Sequence, residues 1–127
     1  MNIVKLEIKS PITSKNIKNF GKIEKKFIFF SKFELTSILN LYSKQVSKGN
    51  WRDYALDSKI DNAIFSIYKH TRDKPMYQII KNSQKGFRNK PSFYIKKGEK
   101  FISKSNSLFT ILSNFEKKLS IKKLRNH

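Results

Sequence analysis

The densest run of chemically capable side chains is Trp51-Arg52-Asp53-Tyr54-Ala55-Leu56-Asp57. Arg52 offers a planar fork to an anion, while Asp53 and Asp57 offer carboxylates to a cation or a proton. The competing reading is a structural corner, in which Trp51 plugs a core and Arg52 meets an acid, because a buried charge needs a partner. Asp53, Asp57 and Asp61 recur every four residues, so they would share a face of a helix or of a regular strand. Carboxylates in that pattern suit a hard cation, but no EF-hand glycine accompanies them. Solvated acids in turns explain the same spacing, and neither a metal nor another cofactor is expected. His70 has Asp73 nearby in sequence, the kind of partner a general base uses. The same position also reads as a turn, where a solvated histidine is ordinary.

A second constellation is basic and aromatic. Lys81, Lys85, Arg88, Lys90, Lys96, Lys97, Lys100 and Lys104 interleave with Phe87, Phe93, Tyr94 and Phe101. Cations beside aromatic rings suit single-stranded nucleic acid, where phosphates pair and bases stack. The alternative makes Phe93, Ile95 and Phe101 core, with the lysines solubilising the surface or guarding a sheet edge.

Composition weighs on both constellations. Of 127 residues, 28 are Lys or Arg and 9 are Asp or Glu, for a formal charge of +19. Such a charge favours polyanions and anionic surfaces. Only four of the basic residues are Arg, however, and a genome rich in A and T would produce the same Lys, Asn, Ile and Phe bias without selection for binding. Lysine suits non-specific, salt-sensitive attraction to a phosphate backbone better than base reading. The distribution is informative: residues 1–50 carry +7, residues 51–80 carry +1, and residues 81–127 carry +11. There is no Cys, which excludes disulfides, thiol catalysis and Cys-ligated metal. No P-loop, Gly-x-Gly-x-x-Gly, Gly-x-Ser-x-Gly or His-Glu-x-x-His is present, so an enzyme is the least favoured class. The longest apolar run, Phe27-Ile28-Phe29-Phe30, is far short of a membrane span. The first residues lack a secretory signal's apolar stretch, so a cytoplasmic location is expected.

The elements that must position these groups follow from periodicity. Residues 1–21 read as a mobile arm, with alternation at Val4, Leu6 and Ile8 broken at Pro11. Residues 22–120 read as one domain and 121–127 as a basic tail. A strand over residues 23–30 is expected to run into a helix. Ser31 and Glu34 form a capping box, and the stripe Leu35, Ile38, Leu39, Tyr42, Val46 leads to a closing Gly49. A short strand is expected over 54–57. A hairpin over 62–69 and 76–81 places Ala63, Phe65 and Ile67 on one face, opposite Ile64, Ser66 and Tyr68. A second hairpin over 92–96 and 100–103 turns at Lys97-Gly98. Asn106 or Ser105 caps a last helix with the stripe Leu108, Ile111, Leu112, Phe115, Leu119. The order strand–helix–strands–helix predicts an α+β fold of two layers, an antiparallel sheet of two hairpins packed against two helices.

The chain resembles an alphaproteobacterial family, the domain of unknown function numbered 2794. The residues that carry the resemblance are Phe30-Ser31-Lys32-Phe33-Glu34-Leu35, Trp51 to Asp57, Ala63-Ile64-Phe65 and Pro75-Met76-Tyr77-Gln78-Ile79-Ile80-Lys81. It covers roughly residues 27–119 and implies a helix, strands and a C-terminal helix, with no activity attached. A helix–three strands–helix order is also similar to double-stranded-RNA-binding domains. Those open their last helix with a run of lysines, whereas Lys104-Ser105-Asn106-Ser107-Leu108 has one. The leading expectation is a non-catalytic protein that binds RNA or DNA in a salt-sensitive way through the Lys-rich hairpin and loop. The alternative is an adaptor that meets a protein partner through Trp51–Asp57.

Overall fold

The computed structural model describes residues 27–70, 74–82 and 90–125. The expected N-terminal arm, most of the 82–91 loop and the 71–73 turn lie outside the described residues. Helix α1 (Lys32–Ser47) is followed by β1 (Asp53–Ser58), β2 (Asn62–Tyr68), β3 (Tyr77–Asn82), β4 (Ser92–Lys97), β5 (Lys100–Ser105) and helix α2 (Leu108–Arg125). The strands form one antiparallel meander in the order β1-β2-β3-β4-β5. The architecture is therefore α+β with five strands, one more than two hairpins supply, and five rather than three between the helices.

Helix α1 begins where the capping box predicts. Glu34 N–H donates to Ser31 Oγ at 3.1 Å, and Ser31 N–H donates to Glu34 Oε1 at 2.8 Å. It ends at Lys48, and Gly49 takes the left-handed conformation that lets the chain reverse. The buried positions of α1 are Ile38, Leu41 and Gln45, so the stripe lies one position away from the expected Val46, which is exposed. Gln45 is a buried polar residue with its groups matched: its side-chain oxygen accepts from Asn50 Nδ2 at 2.8 Å, and its backbone carbonyl accepts from Asn50 N–H. That arrangement fixes the exit of α1 and aims Trp51 inward.

Residues 27–30 are not a strand, contrary to expectation. A single backbone bond ties them down, from Ile28 N–H to the Lys59 carbonyl in the β1–β2 turn. Residues 23–26 lie outside the described residues. The cap of α2 is Ser107, whose Oγ accepts from Thr110 N–H at 3.2 Å. Ser105 and Asn106, the expected caps, instead brace the approach: Ser105 Oγ accepts from Ser107 N–H, and Asn106 Nδ2 donates to the Pro91 carbonyl. The helix continues to Arg125, into the segment expected to be a tail.

Both helices pack on the same face of the sheet. Ala63, Phe65, Ile67, Tyr77, Ile79, Phe93 and Ile95 point to that face and are buried, with Ile38, Leu41, Trp51, Ile111 and Phe115 closing over them. Trp51 stacks on Phe115 at a centroid distance of 5.9 Å and meets Tyr77 at 6.0 Å. A ring that touches both helices and the sheet is the joint of the core. Replacing Trp51 with Ala is expected to cost about 3–5 kcal/mol in a urea melt. Replacing Phe33, which is 81% exposed, should stay within about 0.5 kcal/mol.

Candidate nucleic-acid interface

The strand register fixes what the other face of the sheet carries. One row across it reads Lys104, Tyr94, Ile80, Ile64, Asp57, from β5 to β1. The neighbouring row reads Phe101, Lys96, Gln78, Ser66, Ala55. Its centre is pinned by a hydrogen bond from Gln78 Nε2 to Ser66 Oγ at 3.0 Å. The face is thus cationic and aromatic at β4–β5, uncharged in the middle, where Ile64 and Ile80 lie beside Ser66 and Gln78, and acidic at β1, where Asp53 joins Asp57.

Four side chains at the basic end form a checkerboard. Lys96 lies opposite Phe101, and Lys104 lies opposite Tyr94. Each ammonium sits over its ring, Lys96 Nζ at 5.4 Å from the Phe101 centroid and Lys104 Nζ at 5.6 Å from the Tyr94 centroid. The two rings touch edge to face at 5.7 Å. Tyr94, Phe101, Ser103 and Lys104 line a shallow depression of about 340 Å³.

A local irregularity produces this arrangement. The β4–β5 register shifts between Ile95 and Lys96, so Ile95 pairs with Ser103 but Lys96 pairs with Phe101, and Ile102 is the extra residue. A regular ladder would set Phe101 opposite Lys97, on the helix side. A bulge re-aims side chains in this way: Ile102 packs against the core, and Phe101 stands on the open face, 65% exposed. Gly98, at φ +61°, makes the tight turn that the shifted register needs. The hairpin end sets Lys97 across from Lys100.

The eight expected contact residues separate into groups. Lys96, Lys97, Lys100 and Lys104 share the β4–β5 hairpin, and Lys90 is exposed just before it. Lys85 and Arg88 lie outside the described residues, as does Phe87. Lys81 belongs elsewhere. It follows Ile79 by two residues and so points to the helix face, where its Nζ donates to Glu34 Oε1 at 2.9 Å and to the Phe29 carbonyl at 3.0 Å. With both charged side chains less than a fifth exposed, this ion pair ties the capping box of α1 to β3. Phe93 and Ile95 are core, as the competing reading held, and Phe101 is not.

The Trp51–Asp57 run resolves into a corner and an edge strand. Trp51 is buried, whereas Arg52, Asp53 and Asp57 are exposed. Arg52 N–H donates to the Tyr68 carbonyl, starting the β1–β2 ladder. Asp53 Oδ1 accepts from Tyr54 N–H at 2.8 Å. Tyr54 stacks on Phe65 at 4.8 Å, and Tyr42 meets Tyr54 edge-on. Burial, with smaller contributions from Asp53 and Tyr54, raises the Tyr42 hydroxyl above its usual pKa. Asp53, Asp57 and Asp61 do not converge: among the described residues no group of three potential ligands could hold a metal ion. His70 is exposed beyond β2, and Asp73 lies outside the described residues.

The chain belongs to the family described as protein of unknown function DUF2794, whose model matches residues 28–112. That span holds the helix α1, all five strands and the start of α2. No curated protein and no solved structure matches the chain. No helix among the described residues is long and apolar enough to cross a membrane.

Lys81 is expected to behave as a structural residue. Lys81→Ala should lower stability by about 1–3 kcal/mol in chemical denaturation, because it strands a half-buried Glu34. Lys100→Ala should change stability by less than about 0.5 kcal/mol.

Proposed function

We propose that this protein is a non-catalytic, cytoplasmic nucleic-acid-binding module whose contact surface is the β4–β5 hairpin. The observation that carries the reading is the segregation of charge on the open sheet face. On that face Lys96 and Lys104 gather on one hairpin, with Lys97 and Lys100 carrying the positive charge around its end on the helix side, while Asp53 and Asp57 stand on the opposite edge strand. Genomic bias accounts for many lysines, but it does not set Lys96 and Lys104 at one margin of a face and Asp53 and Asp57 at the other; the hairpin's own acid, Glu99, stands exposed in the turn, 3.9 Å from Lys96.

Such a surface acts through phosphate neutralisation and counterion release, so its affinity falls steeply with salt. Lysines set across neighbouring strands offer point charges without the bidentate geometry that reads bases. Weak sequence preference follows. Fluorescence anisotropy with labelled RNA and DNA over a salt series tests this. Lys100→Glu with Lys104→Glu is expected to abolish measurable binding at physiological salt, and each single Lys→Ala change should reduce the slope of log K against log salt by about 0.7–0.9. Undiminished binding by the double variant would contradict the proposal.

A further inference from the structure

We infer that the ligand of this surface is single-stranded nucleic acid, held by base stacking on Phe101 and Tyr94 between the ammonium groups of Lys96 and Lys104. This rests on the nucleic-acid reading above and names its substrate class. A surface that bound only phosphates would need cations and no rings. Here Lys96 and Lys104 are each paired across the hairpin with an aromatic ring, Lys96 also lying 3.9 Å from the exposed Glu99 carboxylate, and the ring with the greater exposure, Phe101, has been brought to the open face by the bulge at Ile102. An exposed Phe is costly on a sheet edge. Tyr94 beside it is the wall of a shallow, open depression that Lys104 and Ser103 complete.

The geometry fits alternating bases and phosphates. Residues two apart on a strand are separated by about 6.6 Å, so Tyr94 and Lys96 on β4, and Phe101 beside them on β5, offer ring and cation positions at steps that an extended strand can follow. Duplex bases are stacked on each other and present no faces to a side chain. The acids add a second constraint. A duplex laid over the open face would also meet Asp53 and Asp57 on β1, whereas a single strand running along β4–β5 avoids them.

The test is anisotropy of the full chain with labelled dT and rU oligonucleotides of about 15 nucleotides, with a duplex of equal length and a base-free phosphate–sugar chain as controls. The expected result is tighter binding of a single strand than of either control. Phe101→Ala and Tyr94→Leu should each weaken single-strand binding by roughly 5- to 100-fold while leaving the salt slope unchanged. Phe101→Leu, which keeps apolar bulk and removes the ring, should lose most of the same factor. Asp53→Asn with Asp57→Asn should narrow the preference by improving duplex binding. If the ring variants bind like wild type while Lys100→Glu with Lys104→Glu does not, stacking is overturned and phosphate binding stands. If the base-free chain or the duplex binds as tightly as the single strand, stacking is likewise overturned. If wild type binds none of the probes, the nucleic-acid reading falls, and this inference with it.

Discussion

Two helices cover one face of a five-stranded sheet and leave the other open. Everything distinctive about this molecule follows from that constraint. The helix side takes Phe65, Ile67, Ile79, Phe93 and Ile95 and seals them under Ile38, Trp51 and Phe115. The open side must then be built from residues that tolerate water yet still support a sheet. Ile64 and Ile80 in its centre are half-buried by their neighbours, Ser66 and Gln78 satisfy one another, and charges occupy both margins. Antiparallel sheets commonly present one solvated face of this kind. What is unusual is the sorting of the margins by sign and the rings set among the cations at one of them.

The devices that hold the helices are polar and local. Glu34 serves the α1 cap and the Lys81 ammonium at once, so the start of the helix and strand β3 share one carboxylate. Gln45 and Asn50 do the equivalent at the other end and deliver Trp51 to the core. Lys118 of α2 donates toward Ile102 and Ser103 on β5, covering part of an edge strand that would otherwise offer its backbone to a second chain. The Lys44–Glu116 pair between the helices is exposed and adds little.

Much of this was legible in the sequence, and what was not has a physical cause. Ser31 and Glu34 announce a helix start because a capping box needs those two side chains at that spacing. Ala63, Phe65 and Ile67 announce the buried face of β2 by their alternation. Strand β1 is harder to see, because an edge strand exposed over most of its length has no burial pattern to leave in its composition. Lys81 stands among surface lysines in the sequence, although its parity with Tyr77 and Ile79 places it on the helix side. The pairing of Phe101 with Lys96 could not be read at all. It depends on one extra residue in β5, and without that bulge Phe101 would face the helices. The sequence supplied the ingredients of the basic and aromatic surface, while the register shift arranged them.

The central claim is that the open face at β4–β5 is the working surface. It is tested most directly by recording amide and side-chain NMR shifts of the full chain during titration with a single-stranded oligonucleotide. Shifts concentrated at Tyr94, Lys96, Phe101 and Lys104, with Arg52 to Asp57 and the outer surfaces of both helices unmoved, are the predicted result. Shifts centred on the helices, or on the Arg52–Asp57 edge, would contradict the account.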